Sequence, residues 1–159
     1  MKIVILCLSL IWLCLSGLVN FVVIPSVFSI VSDFFLAGNL GVTVFTKFNR
    51  FEFLFATTLV VLSLFDFKRT RSGLITVLIS LILLLISGCY LFYLTPKLTQ
   101  LTTAWEYAQT MGTIGSAESD LQSLHMTYHR TYIVMDSVKL LLLIAQSTLM
   151  ALPLFRNSR

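Results

Sequence analysis

Charge is scarce in this chain. Lys, Arg, Asp and Glu make up 11% of its 159 residues, against about 25% in a soluble domain. With 57% of its residues hydrophobic, the chain lacks the polar surface to cover itself in water, so it reads as one compact unit in a lipid bilayer. The cations are scattered or flank apolar runs, as membrane anchors do, and the net charge of +4 carries no nucleic-acid signal. Histidine is scarcer still, with only His125 and His129. Four apart, they share one helix face and cannot grip a haem from opposite sides, which excludes a bis-histidine b-type haem within one chain. Cys7 and Cys14 are seven apart on one apolar stretch, too far for a disulfide without unwinding; with Cys89 they read as small buried hydrophobes. There is no CxxC pair, no phosphate loop and no Ser-His-Asp pattern, so nothing points to catalysis.

Long apolar runs are what the chain does have. The first continues without a charge from Ile3 to Ser32. A secretory signal has an apolar core of about 7–15 residues, so this run reads as an uncleaved span. About 20 apolar residues cross a bilayer, which places spans at about 3–24, 73–94 and 132–155. A fourth, at 49–67, reaches the needed length only if Glu52 is inside it and faces protein. This second span also sorts the cations. Lys2, Lys68, Arg69, Arg71, Arg156 and Arg159 share the face of both termini, and Lys47, Arg50, Lys97 and Arg130 lie opposite. By the positive-inside rule the termini are cytoplasmic, in a bacterial-type inner membrane.

The link 26–47 is too apolar for a free loop and predicts a short interfacial helix, broken near Gly38 and Gly41. Beyond the third span, Leu94, Leu98, Leu101, Trp105 and Ala108 keep a helical spacing past Pro96. A break follows at 111–115, and Ser119 with Gln122 fits a capping box. A helix from 120 to 155 would be about 54 Å long against a hydrocarbon core of about 30 Å. The third and fourth helices are therefore expected to leave the membrane as a hairpin over 96–131. The predicted fold is all-α, an integral membrane four-helix bundle.

The polar groups of the last span are ordered. His125, His129, Tyr132, Asp136, Lys139, Leu143, Gln146 and Met150 step by four and three along one stripe. Turning Asp136 or Lys139 to lipid costs about 2.5–3.5 kcal/mol or more near the bilayer centre, so the stripe is expected to face the bundle interior. Asp136 and Lys139 can pair at i,i+3. Asn20, Glu52, Tyr90, Tyr93 and Tyr132 are expected to join them as a polar pocket in the outer half, above a dry inner half. Such a network serves helix association, a ligand, ion or proton site, or a subunit contact. His125 and His129 are also spaced to share a metal ion, given a third ligand such as Glu106 or Glu118.

Four short motifs carry a resemblance: SGLVNFVVIPSVFSI, AGNLGVTVFTKFNRFE, YLTPKLTQL and LHMTYHRTYIVMD. They resemble a bacterial four-helix membrane family of unknown function, similar to the transmembrane-protein 205-like group and, further off, to the copper-resistance D-like group. The resemblance implies a four-helix membrane protein with Pro25, Pro96 and His125 at recurrent positions. A remoter likeness to bacterial membrane protoporphyrinogen oxidases implies a histidine in the first span; here that span has Trp12 and Asn20 and no histidine, which speaks against an oxidase. The reading is a non-enzymatic accessory or scaffold protein, binding a protein partner through the hairpin. The alternative is a metal- or porphyrin-handling protein using His125, His129, Asp136 and Lys139.

Overall fold

The structure, a computed structural model, describes the backbone of residues 1–32, 34–67, 73–110 and 116–156. Its side chains are described except those of 34, 35, 108–110, 116–120, 122, 125 and 153–156. The described residues are helical apart from the link at 31–32 and Met1, and no strand occurs among them.

Two of the four helices contain a π turn, each just before a proline. The first helix runs Lys2–Leu18, widens at Val19–Val23 and continues as Ile24–Ile30. The third runs Gly73–Cys89, widens at Tyr90–Leu94 and continues as Thr95–Thr110. Pro25 and Pro96 have no N–H, and their rings press on the carbonyls four residues back, at Phe21 and Phe92. Those carbonyls lie inside the π turns, where the wider winding gives the ring room and keeps the helix continuous.

The second helix, Phe34–Phe67, is 34 residues long, or about 51 Å. It corrects the expectation for 26–47. There is no separate interfacial helix and no break at Gly38 or Gly41, because residues 34–47 belong to the second helix and Ile24–Ile30 closes the first. A glycine costs a helix about 1 kcal/mol. An interruption in lipid would strand backbone N–H and C=O groups at several kcal/mol each, so continuity wins. The fourth helix, Ser116–Arg156, has 41 residues and is about 62 Å long. It begins ahead of Ser119, so Ser119 and Gln122 do not form its N-terminal cap. The expected break at 111–115 lies outside the described residues.

Four stretches are long and apolar enough to cross a membrane: Lys2–Ile30, Leu36–Phe67, Gly73–Tyr107 and Met126–Leu152. The second helix packs chiefly along the third, and the first along the fourth. Where the second helix gives way to the third, a Cβ on Gly73 would lie 2.5 Å from Phe67 Cα, so no larger residue fits. Toward the termini the core is Ile5, Trp12, Ala56, Leu59, Leu83, Leu143 and Met150. It is not wholly dry, which corrects the expected inner half: Gln146 Nε2 donates to Ser80 Oγ at 3.0 Å, and Ser80 and Ser63 share a hydroxyl contact of 2.9 Å. Phe21, Leu85, Phe92 and Leu141 point outward, as side chains facing lipid do.

Candidate functional site: a buried charged centre beside an apolar chamber

Each apolar stretch brings its middle to the same place. Ser16 stands midway along Lys2–Ile30, Tyr90 along Gly73–Tyr107 and Lys139 along Met126–Leu152, with Glu52 next to the midpoint of Leu36–Phe67. These four residues and their neighbours form a centre sealed from solvent, with Glu52 0% and Lys139 1% exposed.

Glu52 is its hub. Its Oε1 accepts from Trp12 Nε1 at 3.0 Å, from Ser16 Oγ at 3.0 Å and from Lys139 Nζ at 2.5 Å. Its Oε2 is buried with no hydrogen-bond partner. Lys139 also forms an ion pair with Asp136 Oδ1, as the i,i+3 spacing predicts. Asp136 Oδ2 accepts from Asn20 Nδ2. The ammonium lies 5.3 Å from the centre of the Tyr90 ring and 6.0 Å from that of Phe48, within cation–π range. Taking each of these ions out of water costs several kcal/mol, and only such dense pairing makes that tolerable.

One helical turn before Glu52, Asn49 links three helices. Its Nδ2 donates to Thr95 Oγ1 at 2.8 Å, and its Oδ1 accepts from Tyr132 OH at 3.1 Å. Tyr132 in turn stacks on Tyr90, with ring centres 4.5 Å apart. Thr95 is the first residue after the second π turn, so the Pro96 distortion sets the position of this hydroxyl.

Tyr132 and Thr95 are also the floor of a chamber of about 570 Å³. Its walls come from Ile24, Pro25 and Phe28 of the first helix, and from Gly38, Gly41, Val42 and Phe45 of the second. Leu98, Thr102 and Trp105 of the third helix and Met126 and His129 of the fourth complete it. All four helices thus contribute beyond the centre, on the side away from the termini. The two glycines help make the space. A Cβ at Gly38 would meet nothing within 4 Å, and one at Gly41 only Phe28 Cε2 at 3.9 Å. Volume and lining fall in the range of small-molecule sites, which are mostly apolar with a few placed polar groups.

Of the residues expected to meet in a polar pocket, Asn20, Glu52, Tyr90, Tyr132, Asp136 and Lys139 do come together. They fill their space, at mid-length of the helices, and the open volume lies beside them. Tyr93 stands apart: it is 51% exposed, and its hydroxyl is 3.4 Å from that of Tyr128. His129 lines the chamber. The side chain of His125 lies outside the described ones, as does that of Glu118. Glu106 accepts from Asn39 Nδ2. Among the described residues no three His, Cys, Asp or Glu side chains form a group fit to hold a metal ion.

The structure adds Trp12, Ser16, Asn49, Thr95 and the two glycines to the residues expected at the site. A signal existed for the first two, because Ile5, Ser9, Trp12, Ser16 and Asn20 step by four, three, four and four, the same period as the stripe on the last helix. No family model, curated protein or solved structure matches the chain.

Proposed function

We propose that this is an accessory protein of a bacterial-type inner membrane whose chamber holds a lipophilic small molecule drawn from the bilayer. The observation that carries the reading is the chamber itself: about 570 Å³, walled by four helices and floored by two hydrogen-bonded hydroxyls. The charged centre serves as its rigid base. It ties all four helices together at one level, so the walls above it are held at fixed separations. A porphyrin- or metal-handling role is the second reading, and it rests on His129 in the chamber wall.

In this reading both termini are cytoplasmic, on the side of Lys2, Lys68, Arg69 and Arg71. The ends of the third and fourth helices project from the opposite face as a hairpin that binds a protein partner. Support comes from length, since a helix of 41 residues exceeds a hydrocarbon core of about 30 Å by roughly a factor of two. The resemblance to the transmembrane-protein 205-like family implies recurrent positions at Pro25 and Pro96, each two residues after a π turn.

The test is native mass spectrometry of the full chain released from nanodiscs made with cell lipid extract. The wild type is expected to carry a bound small molecule. Gly38→Leu combined with Gly41→Leu fills the chamber from the second helix and is expected to remove it. A filled variant that carries the same adducts in the same amount as the wild type refutes the reading.

A further inference from the structure

The centre below the chamber is unbalanced in formal charge. Glu52 and Asp136 bring two carboxylates and Lys139 one ammonium, so the fully ionised centre carries one negative charge in excess. Arg50 and Lys47, the nearest cations in sequence, point outward. The donors are also distributed unevenly. Asp136 Oδ2 accepts from Asn20, its buried Oδ1 has the Lys139 ion pair and no other partner, and Glu52 Oε1 takes three donors, whereas Glu52 Oε2 is buried with neither. An uncompensated charge this deep is costly, and a positive charge brought close relieves it.

The chamber lies beside the centre and shares Tyr132 and Thr95 with its hydrogen-bond network. Asn49, which bonds the two hydroxyls of its floor, lies three residues before Glu52, about 5–6 Å away along one helix face. The chamber wall is rich in aromatic rings, with Phe28, Phe45, Trp105 and Tyr132. Ring faces are electron-rich and attract cations, more strongly where water is absent. An excess negative charge below and aromatic rings in the wall favour one sign of guest.

We infer that the chamber takes lipophilic monocations: molecules with an apolar, ring-bearing body and one positive charge, such as hydrophobic amines or quaternary ammonium compounds. This rests on the small-molecule reading proposed above. A neutral isoprenoid or a lipid acyl chain would fit the volume equally well but would leave the charge excess unanswered. Tyr132 OH donates to Asn49 Oδ1 and Thr95 Oγ1 accepts from Asn49 Nδ2, which ties both floor residues to the helix that carries Glu52.

Titration calorimetry of the full chain in dodecyl maltoside micelles tests this with three tetrahedral probes of similar shape: tetraphenylphosphonium, neutral tetraphenylsilane and anionic tetraphenylborate. The wild type is expected to bind the phosphonium at least about tenfold more tightly than the silane, the advantage of one nearby charge at an intermediate dielectric, and the borate most weakly. Glu52→Gln and Asp136→Asn each remove the excess charge. Either is expected to bring phosphonium and silane within about threefold of each other, read as the ratio of the two affinities within each variant. Gly38→Leu with Gly41→Leu is expected to abolish binding of both. Equal binding of the three probes by the wild type overturns the charge selection and leaves the small-molecule reading standing. So does an undiminished preference in Glu52→Gln and Asp136→Asn, because the centre is then neutralised by a proton of its own. Binding that survives in the filled variant overturns the chamber as the site, and with it both readings.

Discussion

Replacing Lys139 with Met keeps the length of the side chain and removes its charge. Two carboxylates are then left facing one another in a space that is 0% exposed at Glu52 and 8% exposed at Asp136. Glu52 keeps Trp12 and Ser16 as donors, and Asp136 keeps Asn20. Those neutral donors do not replace an ammonium 2.5 Å from one carboxylate and paired with the other. Breaking a buried ion pair from one side costs about 3–5 kcal/mol, most of it the penalty for the charge left behind. For a chain of this size that lowers the thermal midpoint by roughly 6–20 °C. Glu52→Gln alone should behave very differently. The Lys139–Asp136 pair survives, and the amide oxygen still accepts from Trp12 and Ser16. Its midpoint is expected within about 3 °C of the wild type. Combining Glu52→Gln, Asp136→Asn and Lys139→Met leaves no charge and is expected to regain most of what Lys139→Met loses. Thermal unfolding in dodecyl maltoside, followed by far-UV circular dichroism, gives the order directly. A triple variant as unstable as Lys139→Met refutes the claim that stranded charge is the cause, and so does a Glu52→Gln variant that falls as far as Lys139→Met.

Further outcomes follow from single contacts. Ser16→Ala removes one of three donors from Glu52 Oε1 and is expected to cost no more than about 1 kcal/mol, while Trp12→Phe, which also loses packing in the core, should cost about 1.5–3 kcal/mol; guanidine-free thermal melts in one detergent compare them, and the reverse order counts against Trp12 as the stronger anchor. Gly73→Ala sets a methyl against the Phe67 backbone at 2.5 Å, so it should lower the melting midpoint, whereas Gly38→Ala, with nothing within 4 Å, should leave it unchanged within the helix-propensity gain of about 1 kcal/mol. Pro96→Ala restores a backbone donor at the end of the second π turn; spin labels at Ile82 and Thr103, both at the surface, should report a straighter third helix, and an unchanged distance distribution would mean that Pro96 does not hold the turn. For the orientation, an impermeant maleimide applied to intact cells of a cysteine-free background should label Thr103→Cys and spare Lys2→Cys.

Much of this arrangement could be read from residue spacing. From Tyr132 to Met150 the stripe is buried, because period and charge together leave only one face that lipid does not punish, whereas His129 at its other end is exposed. Glu52 was placed by the same cost argument, and its partner proved to be the cation of that stripe. The break expected at Gly38 and Gly41 does not occur, because two glycines cost a helix only about 1 kcal/mol each and the 34 residues of the second helix carry them. In lipid a break strands backbone groups, and the same glycines become a wall without side chains. The chamber itself left no periodic trace. It depends on where Pro25 and Pro96 redirect two helices and on how far apart the second and fourth then stand, and both are set by packing between residues distant in sequence. Spans drawn at the minimum crossing length end near Asn20 and Glu52, whereas both helices continue past them, the first to Ile30 and the second back to Phe34.

The order in which the chain is synthesised gives the Glu52 hub one more consequence. Trp12 and Ser16 leave the ribosome before Glu52, and Lys139 leaves long after it. A nascent chain halted between the second and fourth helices therefore holds an anion in the bilayer with two neutral donors and no counterion, while Asp136 and Lys139 arrive already able to neutralise one another. Chains truncated before the last helix should accordingly be poor at staying inserted, and membrane quality control would have a charge, rather than a missing contact, by which to recognise them.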